Sequence, residues 1–316
     1  MGSFRRCCKL NILVTGGAGF IGSHLVRTLL ANGEKVTALD NLSTGLRENL
    51  PPEATLIEMD VLDEGLTKVV AAGAFDAIVH LAAQTMVDKS IKDPLFDTRE
   101  NLLGTVHVLE AARAANVKRI IFASTAAAYG DVKEDDLPVR EAQPTEPMSF
   151  YGLSKLTVEK YLEMYEKLYG MEYVVLRFAN VYGERQGDGG EGGVISIFAK
   201  AVAEGRDITI YGDGEQTRDF VYAGDIADGI VAALRTEEVN AAYNLSTQTE
   251  TSLRELVSLL AEICGREIVP KYGAEREGDI YKSMLSNNRA RRGLGWQPAT
   301  PLAEGLRRTY EYFCGE

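Results

Sequence analysis

A doubly wound α/β fold with a parallel sheet and a smaller C-terminal α/β lobe is predicted by three features of the sequence. Short apolar runs alternate with helical patterns, a glycine-rich turn joins the first run to the first helix, and the rhythm changes after residue 180. The apolar runs cover residues 10–15, 35–40, 55–61, 77–83, 119–124 and 173–179. Most are hydrophobic almost throughout, as strands covered on both faces must be. Helical patterns at 21–31, 100–116 and 154–169 fall between them. Residues 1–180, joined by 220–248, make the predicted sheet domain, and the remainder of 181–316 makes the smaller lobe.

In that second part the segment 184–193 holds five glycines, which predicts a mobile loop. A short strand at 207–211 precedes the turn Gly212-Asp213-Gly214, and a helix is expected over 225–235. Ser252 and Glu255 form a capping box, Leu253, Leu256, Val257 and Leu260 share one helix face, and Gly265 stops the helix.

Hydrophobic residues make up 45% of the 316 and charged residues 25%, the balance of a globular protein with an ordinary core. A net charge of −12 repels nucleic acid and anionic membranes, so neither is an expected partner. A polyanionic ligand would need a few local cations and helix N-termini. No apolar run approaches the ~18 residues of a membrane span, and no signal-peptide apolar region opens the chain, so the cytoplasm is the expected compartment. The four cysteines, Cys7, Cys8, Cys264 and Cys314, lack metal or redox spacing and read as reduced thiols; no metal site is predicted.

The first strand runs into Gly16-Gly17-Ala18-Gly19-Phe20-Ile21-Gly22, which then opens a helix. Glycine is required where the turn is tight and where backbone must approach a pyrophosphate resting on the helix N-terminus. In strand–turn–helix context this is a Rossmann-type dinucleotide site rather than a packing device. Asp40 ends the second strand 18 residues after Gly22, where a carboxylate accepts hydrogen bonds from adenosine ribose hydroxyls. It favours NAD over NADP by repelling a 2′-phosphate, although Arg47 close by argues the other way. Asp60 and Val61 close the third run, where the adenine would lie.

Tyr151 and Lys155 are four apart, on one face of a predicted helix. Such pairs are commonly no more than solvated neighbours. Here Ser124-Thr125 ends the fifth run, at the sheet edge that binds ligands in open α/β folds. A hydroxyl there can share a proton with Tyr151 and with a substrate hydroxyl, while the ammonium, helped by the positive nicotinamide, should lower the phenol pKa toward a general base. His24, His80 and His107 suggest no Ser-His-Asp arrangement and read as structural.

These residues, with His80-Leu81-Ala82-Ala83, Asn101, Ala126-Ala127-Ala128-Tyr129-Gly130 and Arg177-Phe178-Ala179-Asn180-Val181-Tyr182-Gly183, resemble the extended short-chain dehydrogenase/reductase family. The closest resemblance within it is to the UDP-glucose 4-epimerases, over nearly the whole chain. It extends to the second lobe through Gly212-Asp213-Gly214, Arg218-Asp219-Phe220 and Arg276-Glu277-Gly278-Asp279.

The resemblance implies bound NAD, held by Gly16, Gly19, Phe20, Ile21, Gly22 and Asp40, by Asn41, Ser43, Thr44 and Gly45, and by Asp60 and Val61. Leu81, Ala82, Ala83, Gln84, Asn101, Ser124, Tyr151, Lys155 and Phe178 complete that set. It implies catalysis by Thr125, Tyr151 and Lys155, with the tyrosinate taking the sugar 4-hydroxyl proton as C4 gives hydride to NAD and later recovers it on the other face. A UDP-sugar would meet Val87, Ser124, Thr125, Tyr151, Asn180 and Tyr211, with Arg218 and Arg276 on its diphosphate and Asp279 and Ser283 nearby.

Related dehydratases carry an Asp-Glu pair after the threonine and related decarboxylases a glutamate; this chain has Ala126-Ala127, which favours epimerisation. Ser283 aligns with a residue beside the sugar that is bulky where the pocket takes only glucose and galactose, so its small size implies room for N-acetyl groups. UDP-glucuronate epimerisation, sugar dehydration, net oxidoreduction and a non-catalytic NAD-binding role are the alternatives. The family packs the helices at 100–116 and 154–169 between subunits, which implies a homodimer.

Overall fold

The computed structural model describes residues 9–187, 192–275 and 280–315. Its centre is a seven-stranded parallel sheet. In chain order the elements are β1 (Asn11–Thr15), α1 (Phe20–Ala31), β2 (Lys35–Asp40), β3 (Thr55–Glu58), α2 (Leu66–Gly73), β4 (Ala77–His80), α3 (Val87–Lys92), α4 (Pro94–Asp97), α5 (Gly104–Ala114), β5 (Arg119–Thr125), α6 (Phe150–Tyr169) and β6 (Glu172–Phe178). There follow β7 (Asn180–Tyr182), α7 (Val194–Ala203), β8 (Thr209–Tyr211), β9 (Thr217–Arg218), β10 (Phe220–Tyr222), α8 (Ala223–Arg235), β11 (Ala241–Leu245), β12 (Thr251–Ser252), α9 (Leu253–Cys264), β13 (Lys271–Gly273), α10 (Asn288–Gly293) and α11 (Leu302–Cys314).

The sheet order is β11-β6-β5-β4-β1-β2-β3, so the chain winds outward twice from a switch between β1 and β4. Successive side chains of each strand face opposite layers, and both layers are apolar. In β1, Ile12 and Val14 pack with Leu25, Val26 and Leu29 of α1 and Ile226 and Ile230 of α8. Leu13 faces the other way, into a core with Val108 and Leu109 of α5 and Val158 and Leu162 of α6. A third core, with Ile195, Phe198, Leu256, Leu260 and Leu306, joins α7, α9 and α11 beneath the short paired strands.

Several ends differ from the sequence expectation for identifiable reasons. α6 begins at Phe150 instead of 154, because the Ser149 hydroxyl accepts the Gly152 amide at 3.1 Å and caps the helix there. The helix expected over 100–116 is divided: Thr98–Leu103 take a wider π-helical turn before α5 starts. The run 77–83 pairs only to His80, beyond which Leu81–Ala83 leave the sheet. Residues 184–187, from the glycine-rich segment, pack on α1, where Arg185 Nε donates to Ser23 Oγ at 2.9 Å and the Glu184 carbonyl lies 2.9 Å from His24 Nε2. The capping box at Ser252 and the left-handed Gly265 stop of α9 stand where the sequence put them.

Buried Arg119 ties the sheet to its helical layer. It donates to the carbonyls of Leu234 and Thr236, at 2.8 and 2.9 Å, at the C-terminus of α8, where a cation is favoured, and to Glu172 at 2.8 Å. No helix among the described residues is long and apolar enough to cross a membrane.

Candidate active site

The C-terminal edge of the sheet opens into a cleft whose first wall is the glycine turn. Gly16 has φ +68° and donates to the Leu39 carbonyl at 2.8 Å. A Cβ on Gly22 would stand 2.0 Å from the Gly16 carbonyl oxygen, so the turn and the start of α1 can approach only without a side chain there. α1 has no side-chain cap and no acidic residue in its first turn. Among the described residues no side chain caps its positive end at the cleft, which fits an anionic pyrophosphate.

Asp40 lies at the end of β2, its Oδ2 accepting the Ala18 amide and its Oδ1 the Leu42 amide, both at 2.9 Å. These bonds fix the carboxylate at the cleft, beside Asn41, Ser43 and Thr44. Gly45 packs against the Asp40 carboxylate from behind instead of lining the cleft. Asn41 donates to Asp60 at 2.8 Å, and Asp60 and Val61 form the far wall with Met59. Of the predicted cofactor residues, Gly16, Gly19, Phe20, Ile21, Gly22, Leu81, Ala82, Ala83, Ser124, Tyr151, Lys155 and Phe178 also line this cleft.

Gln84 and Asn101 stand behind it. Asn101 accepts the Gln84 amide at 2.8 Å and donates to the Gln84 carbonyl at 3.0 Å, so its side chain is occupied holding the 81–85 segment in place. Thr85, Glu100, Val181, Gln186 and Gly187 line the cleft although the sequence reading did not choose them. Gln186 and Gly187 fall in a segment whose glycines read only as a loop. Glu100 was hidden by its neighbour Asn101, the residue in the motif.

α6 delivers the reacting groups. Tyr151, Lys155 and Glu159 lie four apart and face β5 together. Tyr151 hydrogen-bonds Thr125, a contact that favours the phenolate. Lys155 Nζ donates to the Ala123 carbonyl at 3.1 Å and sits 4.9 Å from the centre of the Phe122 ring. Ser124 does not join Tyr151, which leaves that contact to Thr125. Side chains alternate along β5, which turns Ser124 toward α6, where its hydroxyl donates to Glu159 Oε1 at 2.6 Å.

Lys155 by itself does not lower the Tyr151 pKa. Burial raises the Tyr151 pKa, opposed by the Thr125 bond and reinforced by the negative charge of Asp97. Burial also brings Lys155 down to about 8, with Asp97 acting against it. Enclosing both groups penalises both charged forms, and this outweighs their proximity.

His80 is enclosed between Thr15 and Thr105, at 2.7 and 2.9 Å, and burial lowers its pKa to about 3. Burial likewise lowers His24 to about 4. Both are neutral structural groups. Val87, Asn180, Tyr211, Arg218 and Ser283 stand outside the lining of the cofactor cleft. Tyr211 is exposed on β8, Asn180 exposed on β7, and Arg218 donates to the Thr217 carbonyl at 2.8 Å on β9. Arg276 and Asp279 lie outside the described residues.

The sequence profile of the NAD-dependent epimerase/dehydratase family matches residues 12–246. The chain belongs to this family. A putative UDP-glucose 4-epimerase of Methanocaldococcus jannaschii is 42% identical over 302 residues, covering 95% of this chain and 97% of the relative. The crystal structure of UDP-glucose 4-epimerase with UDP-glucose from Thermotoga maritima superposes with a TM-score of 0.92 at 42% identity, covering 96% and 98% of the two chains. A UDP-N-acetylglucosamine 4-epimerase from Methanobrevibacter ruminantium, in complex with UDP-N-acetylmuramic acid, gives 0.92 at 34% identity, covering 97% and 99%.

The family's NAD and the glycine turn make one prediction directly. Gly22→Ala should lower retention of NAD at least about tenfold by displacing the Gly16 carbonyl, as read by the NAD content of the purified and dialysed protein against the unsubstituted one.

Proposed function

We propose that the chain is a UDP-hexose 4-epimerase, and the observation that carries this is the Tyr151–Thr125 hydrogen bond at the C-terminal end of β5, on the wall of the cofactor cleft. The division of labour we assign gives NAD to residues 1–180 with 220–248, and the nucleotide sugar to the rest of 181–316.

Within this scheme the α1 N-terminus and glycine turn hold the pyrophosphate, Asp40 the adenosine ribose, and Asp60 with Val61 the adenine. Lys155 reaches the nicotinamide ribose. When bound in this cleft, NAD would supply reversible oxidation at the sugar C4. Tyr151 takes the 4-hydroxyl proton as that carbon is oxidised and gives it back on reduction. Thr125 donates to the phenolate while the proton is away, stabilising the ionised base. Arg218 and Arg276 suit the UDP diphosphate, because guanidinium forks match phosphate oxygens and remain charged.

Ala126–Ala128 form a short 3-10 turn capped by Thr125, whose Oγ1 accepts the Ala127 amide at 3.1 Å. Alanine methyls there supply no acid for eliminating water, so epimerisation is favoured over dehydration. Ser283 adjoins the segment at Leu285, which Asp219 fixes by accepting its amide at 3.2 Å. Its small side chain supports acceptance of N-acetylhexosamines as well as hexoses. Leu153, Met164, Leu168 and Tyr169 form an exposed apolar stripe on α6, which supports a homodimer through this face. We assign it to the cytoplasm, as the sequence led us to expect.

Purified protein without added NAD should convert UDP-glucose to UDP-galactose, and UDP-GlcNAc to UDP-GalNAc, followed by proton NMR; a stable 4-keto-6-deoxy product would instead identify a dehydratase. UDP-glucuronate incubated in parallel tests the uronate alternative. Tyr151→Phe should reduce kcat by about 10²–10⁴ while retaining NAD. Ser283→Tyr should lower activity on UDP-GlcNAc relative to UDP-glucose, and an unchanged ratio would refute the assignment of that pocket. Met164→Glu combined with Leu168→Glu should give a monomer in light scattering if the α6 stripe is the dimer face.

A further inference from the structure

Among the described residues three carboxylates line the cofactor cleft, those of Asp40, Asp60 and Glu100, and they differ in what holds them. Asp40 accepts a backbone amide on each oxygen. Asp60 is tied down in the same way, its Oδ1 accepting the Leu62 amide and its Oδ2 the Asn41 side-chain amide, both at 2.8 Å. Glu100 makes no hydrogen bond among the described residues. Its one ion pair among them is with Arg99, whose Nε stands 3.9 Å from Oε1 on a largely exposed side chain. Two of the carboxylates are thus fixed from within the protein, and the third keeps all its acceptor directions open toward the cleft and solvent.

The local fold sets Glu100 on the wall that would meet a base. Thr98–Leu103 form the π-helical turn before α5, and such a turn rotates the chain less per residue than an α-helix, so neighbours diverge less around the axis. Asn101 is buried and turned to Gln84, while Glu100, partly buried, lines the cleft beside it. The same turn lies against Val61: a Cβ added to Gly104 would stand 3.1 Å from Val61 Cγ2. Sheet order keeps this wall apart from the reacting groups. Asp40 ends β2 and Asp60 follows β3 at one edge, whereas Thr125 ends β5 on the far side of β1 and β4. A dinucleotide whose nicotinamide meets Thr125 and Tyr151 therefore carries its adenine toward Asp60, Val61 and Glu100.

We propose that Glu100 is a specificity-determining residue of the cofactor site, its carboxylate accepting from the exocyclic amine of adenine and so selecting that base over one with a carbonyl in the same place. An ionised carboxylate only accepts, so it attracts an amine and repels a carbonyl oxygen. Asp60 borders the same base, but each of its oxygens already takes one bond from the protein, and Asp40 is assigned to the ribose. Glu100 brings to the base a carboxylate with no hydrogen bond of its own inside the described protein. The assignment rests on the dinucleotide reading of the cleft and not on the sugar reaction.

The test is a competition that reads bound dinucleotide instead of activity. Purified protein, with the NAD it retains, is incubated with equal concentrations of isotopically labelled NAD and nicotinamide hypoxanthine dinucleotide, in which a carbonyl replaces the adenine amine, until the bound ratio of the two is constant. Mass spectrometry of the dinucleotides released by acid gives that ratio. The unsubstituted protein should favour labelled NAD by at least about tenfold. Glu100→Gln, whose amide can donate to the carbonyl, should reduce the preference at least about fivefold. Glu100→Ala should reduce it in the same direction and replaces the glutamine variant should that fail to fold. Equal uptake by the unsubstituted protein, or an unchanged preference in the variants whatever the total amount bound, would overturn the proposal. Absence of UDP-sugar turnover alongside the expected ratios would refute the epimerase reading and leave the role of Glu100 standing.

Discussion

The ion pair between Glu159 and Arg177 fixes the relation between α6 and the sheet on which the rest of the site depends. Arg177 Nη2 meets Glu159 Oε2 at 2.6 Å and Nε meets Oε1 at 3.0 Å, with both side chains buried. Ser124 adds the third bond to this carboxylate, so α6 is held to β5 and β6 at one point. One helical turn back stands Lys155 and two turns back Tyr151, about 5.4 Å apart along the axis per turn. A shift of α6 would separate Tyr151 from Thr125. Breaking a buried pair of this kind by removing one partner typically costs about 3–5 kcal/mol, because the remaining charge is stranded. The pair is therefore better understood as fixing geometry than as adding stability.

From Arg177 the network continues into the returning C-terminal chain. Nη1 donates to Tyr129 Oη at 2.9 Å, Tyr129 donates to Asn244 Oδ1 at 2.7 Å, and Asn244 Nδ2 donates to the carbonyls of Val139 and Ser286 at 2.9 and 3.3 Å. Asp219 performs a similar service nearby. It is fully buried and accepts from Thr247, Gln248 and Leu285, and burial outweighs these bonds to raise its pKa to about 6. Asn180 donates its amide to the Asp219 carbonyl at 2.9 Å. The proposed sugar-binding residues Asn180, Arg218 and Ser283 thus come from segments that meet at one residue, Asp219, through its backbone carbonyl, its chain neighbour or its buried carboxylate, although they are far apart in sequence.

The parallel sheet was legible because its strands are buried on both faces, and the glycine turn because steric demand restricts the residue type. The Tyr151–Lys155 spacing was legible for the same periodic reason. Thr125 was named through the resemblance alone, because the spacing leaves either hydroxyl possible; that Ser124 is taken up by Glu159 was not legible, since this partner lies 35 residues away. The direction of the Tyr151 pKa was missed because spacing reports proximity but not enclosure. Gln84 and Asn101 carry the motif but support the cleft from behind, a distinction between contact and support that residue type alone cannot express.

The two helix starts with the clearest local chemistry show why the cofactor site could be recognised. α9 is closed by a complete capping box, the Ser252 hydroxyl accepting the Glu255 amide at 3.2 Å and the Glu255 carboxylate accepting the Ser252 amide at 2.8 Å. α1 begins on Gly19 with no side-chain cap. A helix end that needs only stability can be satisfied from its own sequence, whereas one that binds an anion must leave its amides available. In a chain of net charge −12, this arrangement gives the dinucleotide a local positive field without requiring a basic surface. The glycine that permits the close approach and the absence of a cap are therefore two parts of one solution.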